Sequence, residues 1–578
     1  MVEQSAHTNP PKQPRRNKQR DLTRLALSIV LIVLCNYVGS FLFKRFDLTS
    51  EKRYTLSPES KAIAKNIKTL AFFKVYLNGK LPAGFIRLRD EMKEMLDEFN
   101  AYSGGKVQYE FIDPTTLGEK KAVFRQLYEN GLSPFNLQVK DNSGGNSEQI
   151  IWPGAVLSYA GRDIPINVLQ TQIDADPETQ LNNSIEALEY NIDNAFHKID
   201  LKIRPIVAFI QGHGEPDSLH LAGAINALSE YYDVRLLPIN HLLKGLDLCK
   251  AIIIAKPLKA IDDKDCYIID QFIMRGGKVM WLIDPMYAPM DSLSRNGITI
   301  SFKNDINIDD MLFRYGVRLN SNLVLDLQSS AIPLNSAFPG QSPKIELYPW
   351  LYEPLVSPPL NSNNPIVKNL NLVEFKYAST IDTIQQQGIK KTILLTTSKS
   401  SRLLNAPARI SFDLVRMKPD PQQYDQGFQP LAVLLEGNFV SAFKDRVNLS
   451  PDTLKMLGYK DHSVPNAMIV VSDGDVVIND VEQGKNEAYP LGYDRYTYKV
   501  TQQIYGNKDF IVNGMNYLCG DSALLNVRTK QLKLRLLDRE KAHKYKTQWQ
   551  VINMAVPIGI IILLGIVLAY VRKRKYAS

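Results

Sequence analysis

The sequence has little cysteine. Four in 578 residues, Cys35, Cys249, Cys266 and Cys519, exclude a disulfide scaffold and a cysteine-rich zinc array. It also lacks G-x-x-x-x-G-K-[ST], G-x-S-x-G and H-E-x-x-H, so it predicts no phosphate loop, nucleophile elbow or helical zinc-protease site. The nearest approach to a phosphate loop, Arg275-Gly276-Gly277-Lys278, runs directly into Val279 and an apolar strand. Hydrophobic residues at 44% and charged residues at 22% exclude a disordered chain and a polytopic transporter. The length is enough for several domains with sizeable cores.

Positive charge is present in excess, but unevenly. A net charge of +9 would ordinarily suggest nucleic acid as a partner. Residues 1–24, however, carry six basic residues against Glu3 and Asp21. Residues 528–550 carry eight against Asp538 and Glu540, and Arg572, Lys573, Arg574 and Lys575 stand in a row. The stretch 25–527 is left slightly acidic, which argues against nucleic acid.

The basic clusters flank two uncharged apolar runs, residues 25–43 and 551–571. Each has about 20 residues, enough to cross a hydrocarbon core of roughly 30 Å. The first is longer than a signal-peptide core, no A-x-A-like cleavage site follows it, and Leu34 precedes Cys35 where a lipoprotein signal needs a small residue. It reads as an uncleaved anchor. Two spans and two basic tails predict a two-pass membrane protein, with tails 1–24 and 572–578 cytoplasmic and the large middle on the other side of the membrane. Asn36 and Tyr37 in the first span, and Gly559 and Gly565 in the second, are candidates for packing against a permease. Lys533, Arg535, Arg539 and Lys544 lie in the basic juxtamembrane segment 528–550, which suits lipid headgroups, a partner or plain solvation.

Between the spans the pattern predicts an α/β protein in two parts. Residues 44–170 read as helix 58–68, strand 70–77, helix 85–102, strand 107–111, helix 120–129 and a hairpin of 137–139 with 150–159. That order resembles a thioredoxin-like domain, but the region has no cysteine and so no C-x-x-C chemistry. A connecting segment, 171–202, contains an amphipathic helix over 178–199. In 203–527, short apolar strands at 203–211, 234–238, 251–255 and 277–283 alternate with helices 219–231 and 264–274. This alternation predicts a doubly wound, mostly parallel sheet. Further strands are expected at 323–326, 391–396, 430–436 and 467–472, and a helix at 507–518.

The sharpest candidate site is Gly212-His213-Gly214-Glu215, between a strand and a helix, where open α/β sheets place ligands. His213 and Glu215 could act as acid and base or bind a ligand. Equally, the glycines could shape a tight turn whose amides the two side chains satisfy. No third metal ligand stands at motif spacing, and no metal or cofactor is assigned. Cys249 and Cys266 occupy no elbow, and Cys519 reads as a packing residue. Asp473-Gly474-Asp475 lacks the spacing of a calcium loop and reads as a tight hairpin turn.

Several segments resemble the GldG family of gliding-motility-associated proteins: FDLTSEKRYTLS (46–57), FIQGHGEPD (209–217), GGKVMWLIDP (276–285), LFRYGVRLNSNLVLD (312–326) and NKDFIVNGMNYLCGD (507–521). With one span at each end, the likeness covers nearly the whole chain. It implies an auxiliary or substrate-binding-like component of a Bacteroidota ABC transporter, in the bacterial inner membrane with the large middle region periplasmic. Such a component works with a multi-span permease (GldF-like) and a cytoplasmic ATPase (GldA-like), in gliding and type 9 secretion. It also implies that 203–527 is a domain shared with an intraflagellar-transport protein, and it brings no catalytic residues. The expected function is therefore a non-catalytic, membrane-anchored subunit that binds protein partners. The alternatives are a small-molecule or glycan-binding module at 212–215, or a hydrolase using His213 and Glu215.

Overall fold

Short runs rich in valine, isoleucine and leucine make the central strands of the larger sheet of this protein. The computed structural model describes residues 18–41, 55–140, 146–173, 175–200, 203–337, 341–342, 344–360, 362–444, 446, 458–482, 484–501, 504–520 and 544–576. The chain divides into two units, Met1–Thr55 and Leu56–Ser578. The first unit contains α1 (Lys18–Phe41), whose apolar stretch Leu22–Leu34 is exposed.

The second unit starts with α2 (Pro58–Asn66). Proline occupies its first turn and the Ser57 hydroxyl accepts from the Ser60 amide at 3.1 Å, an N-cap of the kind the sequence predicts. Next come β1 (Ala71–Val75), α3 (Ala83–Tyr102), β2 (Val107–Phe111), α4 (Lys120–Glu129), β3 (Phe135–Lys140), β4 (Asn146–Ile151), β5 (Gly154–Tyr159) and β6 (Arg162–Asn167). β1 pairs parallel with β2 across α3 and antiparallel with β5, giving the order β2-β1-β5-β6. The expected single strand over 150–159 is two strands. Pro153 offers no amide for a ladder, and the chain turns there, so β4 pairs with β3 while β5 pairs with β1 and β6. The segment 171–202 holds two helices, α5 (Pro177–Glu186) and α6 (Leu188–Asp200), broken at Ala187. Ile192, Ala195 and Phe196 of α6 are buried in one core with Phe73, Phe99 and Tyr159.

The second sheet is built from β7 (Ile206–Gln211), α7 (Ala222–Ser229), β8 (Asp233–Pro238), β9 (Cys249–Ala255), α8 (Asp263–Met274) and β10 (Lys278–Leu282). Strand Asn466–Val471 adds parallel to β10, and Pro430–Gly437 and Ile389–Thr396 extend the sheet antiparallel. The order is Ile389–Thr396, Pro430–Gly437, Asn466–Val471, β10, β9, β7, β8. Both faces are buried, with side chains alternating between two cores. Val207, Phe209, Ile253 and Met280 meet α7 and the helix Asn507–Cys519 on one side. Ala208, Ile210, Ile254 and Trp281 meet α8 on the other.

Apart from Ile389–Thr396, the described strands between residues 286 and 411 form small antiparallel sheets of two or three strands. These include a long hairpin, Ser329–Asn335 with Ile345–Val356, and the pair Asn322–Asp326 with Ser401–Asn405. They share a core around Leu325, Trp350 and Ile410. The last described element is the helix Lys546–Tyr576, which contains Pro557. Its segment Lys546–Arg574 is long and apolar enough to cross a membrane.

Candidate functional site

Five loops leave the large sheet at the carboxyl ends of its parallel strands, the edge where such sheets bind ligands. They carry two clusters of charged side chains.

The first cluster is centred on the loop after β7. Gly212 and Gly214 have φ of +126° and +84°, backbone that only glycine adopts without strain. The turn folds Glu215 back so that its carboxylate accepts from the His213 amide at 2.7 Å and lies 3.3 Å from His213 Nδ1. His213 Nε2 faces Asp265 Oδ2 at 3.2 Å, and Asp265 Oδ1 faces His241 Nδ1 at 3.1 Å. His213, Glu215 and Asp265 are buried, whereas the His241 side chain is 52% exposed. The Glu215 hydrogen bond, opposed by burial and aided by Asp265, holds the His213 imidazole above its ordinary pKa. The His213 carbonyl also accepts from the Leu258 and Lys259 amides, which ties this loop to the one after β9.

The second cluster joins the ends of three adjacent parallel strands. Lys256 follows β9, Asp284 follows β10, and Asp473-Gly474-Asp475 follows Asn466–Val471. The Lys256 ammonium lies 3.1 Å from Asp284 and 2.5 Å from Asp475. Asp284 Oδ1 accepts from the Gly474 amide, Asp473 Oδ1 from the Asp475 amide, and Asp473 Oδ2 from the Lys376 amide. Asp473-Gly474-Asp475 is therefore no hairpin turn; it leads into a short helical turn, Asp475–Val477, against Lys256. Burial pushes the Asp284 carboxyl up to about 6 and Asp473 well above its usual range. Burial alone would lower Lys256, but Asp475 and Asp284 outweigh it and raise the ammonium's pKa. A bare carboxylate trio here would attract a cation, and the Lys256 ammonium already supplies that charge.

Residues 204–514, more than half of the chain, match the family described as an ABC-type uncharacterized transport system. The chain belongs to that family. Membership gives the protein a transport-associated accessory role. Residues 50–158 match a domain of unknown function, DUF7088. An uncharacterized protein of Borreliella burgdorferi (strain ATCC 35210 / DSM 4680 / CIP 102532 / B31) is 20% identical over 571 residues, spanning 97% of this chain and 99% of that protein. Among solved structures, the mmIFT52 N-terminal domain aligns at 12% identity with a TM-score of 0.30, over 55% of this chain and 97% of its own. The exo-beta-1,4-mannosidase Op5Man5 from Opitutaceae bacterium strain TAV5 aligns at 10% identity with a TM-score of 0.21, over 81% of this chain and 55% of its own. Likenesses at those scores carry no argument about fold or chemistry.

In this member of the ABC-type transport family, the apolar helix Lys546–Arg574 and the shorter Leu22–Leu34 are compatible with membrane anchoring. Gly559 and Gly565 lie on the former, and a Cβ at either would meet nothing within 4 Å. Lys544 is exposed and stacks over the Tyr545 ring at 5.7 Å, while Lys533, Arg535 and Arg539 fall outside the described residues. Asn36 and Tyr37 lie in α1, and their side chains are likewise outside the description. Burial pushes the Cys266 thiol up to about 12 and raises Cys249, so neither favours a thiolate. Sequence reasoning singled out Gly212, His213, Gly214 and Glu215 and missed Asp265, His241, Lys256 and Asp284. Only topology brings these four to the same sheet edge. For the second cluster the signal available was a charged residue, Lys256, Asp284 or Asp473, directly after three of the predicted strands.

Proposed function

We propose that this protein is a non-catalytic, membrane-anchored subunit of an ABC-type transport complex. Its α/β region, of which residues 44–170 form a thioredoxin-like part and the rest a doubly wound sheet, binds protein partners. The family match over residues 204–514 is the observation that carries the reading. The basic tails favour two spans with cytoplasmic ends and a periplasmic middle. Energy then comes from a separate ATPase (GldA-like), coupled through a multi-span permease (GldF-like), since the chain has no phosphate loop. The resemblance to the GldG family extends the proposal to gliding motility and type 9 secretion. The charged groups at the sheet edge support a structural use. His213 lies between two carboxylates and Lys256 between two more, so neither is poised toward open solvent as a general acid or base would be.

Purification from native membranes in mild detergent tests the proposal. The expected result is co-elution with a multi-span permease; recovery of a lone, monodisperse chain overturns it. A reporter fused after Ser578 should be active only in the cytoplasm.

A further inference from the structure

The first cluster holds a set of side chains that the transport reading does not use. His241 stands in the loop after β8, and Asp262 and Asp265 open α8 after β9. His241 Nδ1 lies 3.1 Å from Asp265 Oδ1 and 3.6 Å from Asp262 Oδ2, and one ligand atom from each residue falls within 4.8 Å of the others. Ligands about 2.0–2.2 Å from a tetrahedral zinc ion stand about 3.4 Å apart, so the two measured edges bracket what such an ion needs.

We propose that His241, Asp262 and Asp265 bind a divalent transition-metal ion of the zinc type, with a fourth coordination position open to solvent. One imidazole and two carboxylates suit zinc and its neighbours, whereas magnesium and calcium prefer oxygen alone. The exposure of the three side chains gives the site a closed and an open side. Asp265 is 5% exposed and forms its floor, while His241 and Asp262, each about half exposed, form a rim that an outside ligand can reach. Asp262 keeps one oxygen for the helix, Oδ1 accepting from the Lys264 and Asp265 amides, which leaves Oδ2 for the ion. The positive end of the α8 dipole acts against a cation there, but two full carboxylate charges exceed the roughly half charge of a helix terminus.

The 212–215 loop then acquires a positioning role. His213 Nε2 faces Asp265 Oδ2, the oxygen turned away from His241, and Glu215 fixes the other face of the same imidazole. This is the outer-shell arrangement that orients a ligating carboxylate. Motif spacing does not reveal this ligand set, since His241 stands 24 residues from Asp265.

The test is calorimetric titration of zinc chloride into tag-free, full-length protein in mild detergent, after treatment with chelator. Wild type should bind one equivalent saturably and unfold at a higher temperature with zinc. His241→Ala and Asp262→Asn should each lose at least about tenfold in affinity, and His213→Ala about tenfold or more through the outer shell. Asp262→Asn retains an oxygen to cap α8, so it should unfold at the wild-type temperature without metal. His241→Asn, which tolerates the left-handed backbone at φ +55° and keeps a donor for Asp265, is the folded control for His241→Ala. Absence of saturable binding to wild type overturns the proposal. So does zinc binding that leaves His241→Ala and Asp262→Asn with wild-type affinity and the same thermal shift.

Discussion

Lys256 adopts a left-handed backbone, φ +48°, where a residue with a side chain costs of order 1–3 kcal/mol. The conformation is tolerated because it aims the ammonium between Asp284 and Asp475. Lys256→Met should therefore destabilise the fold by about 3–5 kcal/mol at pH 8, since it leaves buried carboxylates without their counter-charge. Adding Asp475→Asn to that variant should recover part of the loss, and denaturant unfolding of both variants checks the pair. Gly474 has ordinary backbone but no room: a Cβ there would stand 2.5 Å from Lys256 Cβ and 2.9 Å from its Cα. Gly474→Ala should cost about 1–3 kcal/mol in the same assay, because the neighbour is backbone and cannot swing away. Little of this was legible in the sequence. The Asp473-Gly474-Asp475 triplet drew notice as a turn, but Lys256 and Asp284 lie 219 and 190 residues from their partners in it, and no local pattern links positions so far apart. The 212–215 loop was more legible because its glycines and its acid act within two residues.

At the scale of elements, what the sequence could show depended on whether the signal was local. The buried strands β7, β9 and β10 are apolar runs flanked by polar breaks, and parallel strands covered on both faces read that way. The turn between β4 and β5 was harder, because Trp152 and Val156 are as apolar as the strands and only Pro153 marks the change of partner. Helix α5 gives way to α6 at Ala187, a residue with no tendency to end a helix. The Phe196 ring of α6 lies 5.9 Å from Phe73, 6.3 Å from Phe99 and 5.6 Å from Tyr159. It is the aromatic residue that joins α6 to β1, α3 and β5. Phe196→Ala should lower stability by about 3–5 kcal/mol, with the loss of near-ultraviolet ellipticity as a second readout. A drop below 1 kcal/mol would mean that α6 is a linker rather than part of the core.

At the scale of the whole molecule, net charge misleads about chemistry, because the basic residues gather in the terminal segments while the folded interior is acid-rich. Around Lys376, the carboxylates of Glu374 and Asp480 lie 3.8 Å and 4.0 Å from its ammonium. Glu353 is held nearby and accepts from the Ser330 hydroxyl at 2.9 Å. Burial pushes Glu374 up to about 7, with Lys376 pulling it down and Glu353 adding to the rise; burial likewise raises Glu353. A carboxyl with a raised folded-state pKa binds its proton more tightly in the fold than in the unfolded chain. Its contribution therefore favours the fold at low pH and is lost as pH climbs from the ordinary 4.5 through the folded value of about 7. Asp284, pushed up to about 6, acts in the same direction over a lower window. The melting temperature of the full chain in detergent should thus fall between pH 5.5 and pH 8.5. Glu374→Gln should flatten that slope and raise the melting temperature at pH 8.5, because the amide has no charge to bury beside Glu353. A melting temperature that climbs with pH in wild type, or a Glu374→Gln slope equal to that of wild type, would show that Lys376 compensates the acids fully. The excess acid would then carry no cost in the fold.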